Sequence, residues 1–136
     1  MTTKPIAQTV VEQAVAAVRD QFAGHPVNTV PDGVGGVLVT IDNIDLGPAY
    51  TPNMTWLGFH INTAYPHSDV YPHYIGRVTR VDNQAHGVAV QQVDWQHRPA
   101  LQLSRRSTQW NPATDTAALK AEKVITWFRA AHALTM

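Results

Sequence analysis

The sequence contains no cysteine. That absence excludes disulfide bridges, a thiolate nucleophile and every cysteine-ligated kind of zinc site. It also leaves the redox character of the compartment unspecified, so a cytoplasmic location is the default expectation and nothing stronger.

Long apolar runs and an excess of one charge are missing as well. No apolar run approaches the roughly 20 residues that cross a bilayer. The formal net charge is zero, so no field of one sign draws the whole protein to nucleic acid or to an anionic membrane. The first residues, MTTKPIAQTVVEQA, include Glu12 and have no apolar core, so we expect no secretory leader. We therefore expect neither a nucleic-acid partner nor a membrane partner.

The rest of the composition is that of a folded globule. With 44% hydrophobic and 15% charged residues, a chain of 136 residues can bury a core of its own. The sequence shows no internal repeat, linker or low-complexity segment. We therefore predict one domain that spans residues 1–136.

Hydrophobic periodicity predicts a helix near each end of the chain. Apolar residues at every fourth position from Ile6 to Phe22 predict a helix over about residues 5–23, which Gly24 ends. A second apolar stripe predicts a helix from about Ala117 to about Leu134. The residues before Ala117 include several that are typical of a helix N-terminus.

Between the helices, four segments have the composition and alternation of β-strands. They cover about residues 37–41, 54–62, 74–81 and 87–93. We therefore predict an α+β domain with an N-terminal helix, a four-stranded antiparallel meander, an active-site-like loop and a C-terminal helix. Because an antiparallel meander commonly buries one face, the helices should cover one side of the sheet.

Two short motifs accompany this order of elements. Tyr65-Pro66 and Pro72 follow the second predicted strand, and Trp110-Asn111-Pro112 precedes the last helix. The chain thus resembles the ubiquitin-conjugating enzyme (UBC) family, whose domains have a Tyr-Pro-x-x-Pro-Pro segment after the third strand and a Trp-x-Pro after the catalytic cysteine. The resemblance runs from the first helix to the last and is nearer to divergent bacterial members than to eukaryotic ones, which usually add further helices.

The sequence departs from this family where the chemistry takes place. Residues 94–99, DWQHRP, stand in the region of the family's His-Pro-Asn signature, whose asparagine helps to stabilise the oxyanion. The position of the family cysteine falls on Gln102, or on Ala100 if a small insertion is allowed. Neither side chain can carry a thioester. A further alternative is that Ala100 stands in place of a native cysteine.

A loop hydroxyl could replace the thiol. Ser104 and Ser107 lie in the corresponding segment, but a serine hydroxyl is a weak nucleophile without an adjacent base. His97 is the nearest candidate base in sequence, and Asp115 is a candidate orienting carboxylate. We therefore keep two hypotheses: one serine accepts an acyl group, or both serines bond local backbone in a turn.

Arg105 and Arg106 form the most concentrated charge in the chain. Guanidinium groups bind carboxylates through paired hydrogen bonds, so this pair could hold the C-terminal carboxylate or the acidic surface of a partner protein. The alternatives are a phosphate contact, a solvated loop, or ion pairs with Asp94 or Asp115. Trp110 either belongs to the same partner-binding surface or locks the loop through its indole N–H.

The resemblance implies a role in a bacterial ubiquitin-like modification pathway, with a ubiquitin-like protein and a ubiquitin-activating-like enzyme as partners. No cofactor or metal is implied. The chain would be a binding adaptor without catalysis, or a transferase that holds the modifier as an oxyester.

The alternative is an unrelated small α+β binding module or a metal hydrolase. His60, His67 and His73, with Asp69 nearby, offer ligands of the kind that zinc prefers, although their spacing matches no compact zinc motif.

Overall fold

The computed structural model describes residues 9–131, in which a helix near each end shares one hydrophobic core with an antiparallel sheet. The predicted α+β class, the helix at either end and the antiparallel sheet are confirmed. The parts of the two predicted helices that precede residue 9 or follow residue 131 lie outside the described residues. Among residues 9–131, no helix has the length and apolar character needed to cross a bilayer.

The first helix, α1, spans Val10–Gln21. It begins where the side chain of Thr9 accepts a hydrogen bond of 3.0 Å from the amide of Glu12, which satisfies one of the free N–H groups of the first turn. Its buried face carries Val11 together with Ala14 and Val18. Val10, which was predicted to face the core, is 47% exposed.

Eight strands lie between the helices, and six of them form the main sheet. They are β1 (Val27–Pro31), β2 (Val37–Asp45), β3 (Tyr50–Thr51), β4 (Met54–Ile61), β5 (His73–Gly76), β6 (Thr79–Arg80), β7 (Val90–Trp95) and β8 (Arg98–Leu103). The main sheet has the order β1-β2-β4-β5-β8-β7, and β3 pairs with β6 in a separate ribbon. Every pairing is antiparallel.

The prediction of four strands was therefore too low, for identifiable physical reasons. β1 ends at Pro31 and is not among the predicted strands; as an edge strand it tolerates a proline, which cannot donate a ladder hydrogen bond. β7 turns directly into β8 at Gln96 and His97, with φ angles of 51° and 64°. Positive φ is uncommon outside glycine, and Gln-His is not one of the residue pairs, such as Asn-Gly or Asp-Gly, that signal a two-residue hairpin.

Alternation along the strands separates the sheet into two faces. Leu57, Phe59 and Ile61 of β4 point into the core that the helices cover, and all three are fully buried. In β8, Leu101 and Leu103 are buried in the same core.

The opposite face carries a stack of aromatic rings. Trp95 lies parallel to Tyr74, with ring centroids 4.8 Å apart, and to Trp56 at 5.7 Å. The guanidinium of Arg98 covers Trp56 at 3.7 Å. Gly58 makes room for this stack, because a Cβ atom there would lie 2.2 Å from the Trp95 ring.

The last helix, α2, spans Ala117–Ala131. Thr116 caps it: its hydroxyl accepts from the amide of Leu119 at 3.1 Å, and its carbonyl from the amide of Lys120 at 2.9 Å. One member of the buried face of α2 is a lysine, since Lys120 is only 4% exposed. Its surroundings define the candidate site.

Candidate functional site

Both candidate positions for the family cysteine lie inside a central strand of the sheet. Ala100 is fully buried in β8, where it pairs with Gly76 on one side and Val93 on the other. Gln102 is half-buried and pairs with Tyr74 and Gln91. Neither position lies on the loop that follows β8.

The two motifs that suggested a family are joined to each other. The indole N–H of Trp110 donates to the carbonyl of Pro66 at 2.7 Å, and the rings of Tyr65 and Trp110 lie 6.4 Å apart. The hydroxyl of Tyr65 accepts from the amide of Ala117 at 3.1 Å, in the first turn of α2. Trp110 is half-buried, and its N–H holds the loop after β8 against the segment after β4.

Replacement of Trp110 by phenylalanine is expected to lower the free energy of unfolding by about 1–2 kcal/mol, because the carbonyl of Pro66 loses its donor and some packing is lost. Urea unfolding of the variant measures the change. Trp127→Phe is the matched control, since no hydrogen bond of the Trp127 indole exists among residues 9–131. Equal losses in the two variants would show that the hydrogen bond has no particular role.

A three-residue polar network lies between the loop and α2. The ammonium of Lys120 donates to both carboxylate oxygens of Asp69 at 2.9 Å and to the hydroxyl of Ser107 at 2.7 Å. Asp69 also accepts from the amide of Ser107 at 2.7 Å and from its hydroxyl at 3.1 Å. Three distant parts of the chain are thereby fixed to one another.

The carboxylate of Asp69 is kept ionised by this network. Burial alone would raise its pKa, but the hydrogen bond from the Ser107 amide and the ammonium of Lys120 outweigh that effect and hold the pKa below its usual value. A carboxylate of lowered pKa is a poor proton acceptor. Asp69 therefore anchors Ser107 and does little to activate its hydroxyl.

His73 lies in the core near this network. It is fully buried on β5, its ring lies 5.2 Å from that of Phe59, and neither ring nitrogen has a hydrogen-bond partner. Burial, with a smaller contribution from the charge of Lys120, lowers the pKa of His73 to about 3, although Asp69 partly opposes the change. The imidazole is therefore neutral at physiological pH.

A cleft of about 480 Å³ opens beside the network, between the loop and α2. The guanidinium of Arg105 lies 5.4 Å from the ring of Trp127, and that of Arg106 lies 4.2 Å from the ring of Tyr71. Within residues 9–131, neither arginine has a carboxylate partner. The cleft is lined by Arg105, Arg106, Ser107, Thr108, Gln109, Asp115, Lys120, Lys123, Val124 and Trp127.

The structure does not bring together the serine, base and carboxylate considered above. His97 lies in the turn at the start of β8, whereas Ser104 follows the other end of that six-residue strand. Asp115 accepts from the amide of Asn111 at 2.7 Å and lies 3.7 Å from the ammonium of Lys123. It therefore helps to build the turn before α2 and the rim of the cleft.

Ser104 and Ser107 have different surroundings. The amide of Ser104 donates to the carbonyl of Ala89 at 2.8 Å, and its hydroxyl accepts weakly from Gln102 at 3.4 Å. Of the two serines, only Ser107 lines the cleft, and its hydroxyl hydrogen-bonds both Asp69 and Lys120. No histidine in the described part of the chain hydrogen-bonds either serine.

The three histidines considered as metal ligands are kept apart by the sheet. His60 points to the outer face, where it contacts Asp32 at 2.8 Å, and His73 points into the core. His67 is exposed in the segment after β4. Across residues 9–131, no cluster of three or more histidine, aspartate or glutamate side chains could hold a metal ion.

No role was predicted for Lys120, and Asp69 was predicted only as a companion of the histidines in the zinc hypothesis. For Lys120 a signal was present: it lies three residues after Ala117 and four before Val124, on the apolar stripe of the helix. A lysine at a core position requires a partner, and Asp69 supplies it.

Comparison with known proteins found no relative: no protein-family model, curated protein or solved structure matches the chain. A function must therefore be argued from the site.

Proposed function

We propose that the protein is a UBC-like member of a bacterial ubiquitin-like modification pathway and acts as an adaptor that binds the modifier without a covalent bond. The contact between the Tyr65-Pro66 and Trp110 motifs supports the family relationship, because it unites the two segments on which the resemblance depends. The cytoplasm is the proposed setting, since activation of a modifier's carboxyl terminus consumes ATP.

The state of Ser107 is the observation that favours an adaptor over an oxyester carrier. An acyl-accepting serine needs a neighbouring base that can remove its proton. The hydroxyl of Ser107 instead donates to an ionised carboxylate of lowered pKa and accepts from an ammonium group. This arrangement satisfies the hydroxyl and supplies no effective base.

The charge of the cleft supports binding of an anionic group of the partner. Arg105 and Arg106 are exposed at its rim, and Asp69 and Ser107 fix the loop that presents them. Rim charges of this kind accelerate association and add charge-assisted hydrogen bonds to a carboxylate.

A binding experiment tests this proposal. Titration calorimetry would measure the dissociation constant of the purified ubiquitin-like protein from the same organism for the parent chain and for Arg105→Ala/Arg106→Ala. We expect the double variant to bind at least about tenfold more weakly, because two charge-assisted contacts are lost.

The matched control removes two arginines from elsewhere on the surface. Arg77 is exposed and donates to the carbonyl of Val93, and Arg98 is half-buried over Trp56, so neither lines the cleft. Arg77→Ala/Arg98→Ala should therefore leave the dissociation constant within about twofold. Equal weakening by both double variants, or no binding by the parent chain, would contradict the assignment of this cleft.

A charging reaction separates the adaptor from the carrier. Incubation with the activating enzyme, the modifier and ATP should leave the chain at its unmodified mass. An adduct that resists thiol reductant, is cleaved by hydroxylamine and is lost in Ser104→Ala or Ser107→Ala would identify an oxyester carrier instead.

A further inference from the structure

The charges around the cleft do not balance. Two carboxylates belong to this region, and each is paired with a lysine: Asp69 with Lys120 at 2.9 Å and Asp115 with Lys123 at 3.7 Å. Arg105 and Arg106 remain without a carboxylate among residues 9–131 and rest on aromatic rings. The cleft thus has an excess positive charge at its rim that a ligand can neutralise.

Other parts of the cleft fit an extended peptide. Val124 is buried and Trp127 half-buried, so together they give one wall an apolar surface. Thr108 and Gln109 are exposed, and neither side chain makes a hydrogen bond within the described residues. Hydroxyl and amide groups of this kind can pair with the N–H and C=O groups of a bound backbone.

We propose that this cleft recognises the free C-terminal carboxylate of the modifier, with Arg105 and Arg106 as its partners. The inference rests on the proposed function and deepens it. Conjugation turns that carboxylate into a neutral amide, which cannot accept the same charge-assisted hydrogen bonds. The adaptor therefore separates unconjugated modifier from modifier already attached to a target.

A carboxylate fits this cleft better than a phosphate does. Phosphate sites commonly present several free backbone N–H groups, but the amide of Ser107 already donates to Asp69 at 2.7 Å. The carboxylate of Asp115 also lines the cleft and repels a doubly charged anion more strongly than a singly charged one.

A pair of small probes isolates the contribution of the charge. N-acetyl-triglycine, as the free acid and as the C-terminal amide, would be titrated into the ¹⁵N-labelled protein at constant ionic strength. We expect the acid to shift the signals of the Trp127 indole and of the Arg105 and Arg106 side chains in a saturable way. The amide, which differs only in charge, should bind at least about tenfold more weakly.

Variants and a competing anion complete the experiment. Arg105→Gln/Arg106→Gln should abolish the preference for the acid, and the matched Arg77→Gln/Arg98→Gln should retain it. The spectra also report whether each variant is folded. If the double variant is unfolded, single substitutions of Arg105 or Arg106 would replace it in the titration. Equal binding of acid and amide, or tighter binding of inorganic phosphate at the same signals, would overturn the proposal.

The same comparison with the whole modifier separates this inference from the proposed function. The modifier with a free carboxyl terminus should bind at least about tenfold more tightly than the same protein with an amidated terminus. Equal binding of the two forms would refute the recognition of the carboxylate and leave the adaptor role intact. Failure of both forms to bind, while the tripeptide acid does, would refute the adaptor role itself.

Discussion

Replacement of Lys120 by methionine is expected to lower the free energy of unfolding by about 3–5 kcal/mol. The side chain of Lys120 is 4% exposed and that of Asp69 is 12% exposed, so the variant leaves a carboxylate with little access to water and without its cation. Removing one member of a buried pair costs more than the pair contributes, because the remaining charge stays desolvated. Urea denaturation monitored by circular dichroism at pH 7 measures the change.

Two further variants show whether the unpaired charge is the cause. Lys123→Met removes a lysine of the same helix whose side chain is 70% exposed, and it should cost about 1 kcal/mol or less. Asp69→Asn combined with Lys120→Met should recover part of the lost stability, because the neutral amide can still accept from Ser107. If Lys120→Met unfolded at the same urea concentration as the parent, the buried network would have no structural importance.

Acid is expected to destabilise the protein from about pH 6.5 downward, because His73 is buried as a neutral imidazole. Its folded-state pKa of about 3 lies below the 6.5 of an exposed histidine. Between these two pH values the unfolded chain binds a proton that the folded chain does not. The free energy of unfolding therefore falls as the pH decreases, by up to about 1.4 kcal/mol per pH unit from this residue.

His73→Leu should remove this part of the pH dependence and raise stability at pH 7 by about 1 kcal/mol or more, because two buried ring nitrogens without partners are lost. Asp69 also contributes to the pH dependence, because its lowered pKa stabilises the folded state at pH values above about 3.8. In His73→Leu, the free energy of unfolding that comes from Asp69 should therefore decrease only as the pH falls below about 3.8.

Urea titrations at pH 7, 6, 5 and 4 would separate these contributions. The exposed His67 provides the control, because His67→Leu should keep the slope of the parent chain. An unchanged slope in His73→Leu would show that another group causes the acid sensitivity.

Local sequence patterns were sufficient for the helices and for the α+β class. The apolar stripes of α1 and α2 repeat within one or two helical turns, so the sequence displays them directly. The cap at Thr9, which begins α1 at Val10, was not predicted. The edge strand β1 and the second strand of the hairpin, β8, were missed, because Pro31 is unfavourable within a strand and the Gln96-His97 turn has no local hairpin signal. Both strands form through tertiary pairing, β1 with β2 and β8 with β7.

The candidate site could be predicted only in part. Arg105, Arg106 and Ser107 are adjacent in sequence, and their residue types indicated a binding loop. Their partners come from far away: Asp69 lies 38 residues before Ser107 and 51 before Lys120. No local pattern specifies such a pairing, and only the packing of α2 against the sheet brings these side chains together.

His73 illustrates the same limit. As a residue type it suggested metal binding, but its side of the sheet is decided by the register of β5, where it pairs with Phe59 and Leu103. A shift of one residue would have placed it on the outer face with His60.

The intact mass of the chain after the charging reaction tests the central claim most directly. With the activating enzyme, the modifier and ATP present, we expect the denatured chain to keep its unmodified mass while the native chain still binds the modifier through the cleft of Arg105 and Arg106. A gain of one modifier in mass that survives thiol reductant, is released by hydroxylamine and disappears in Ser107→Ala would contradict the adaptor account and make Ser107 the acceptor of the acyl group.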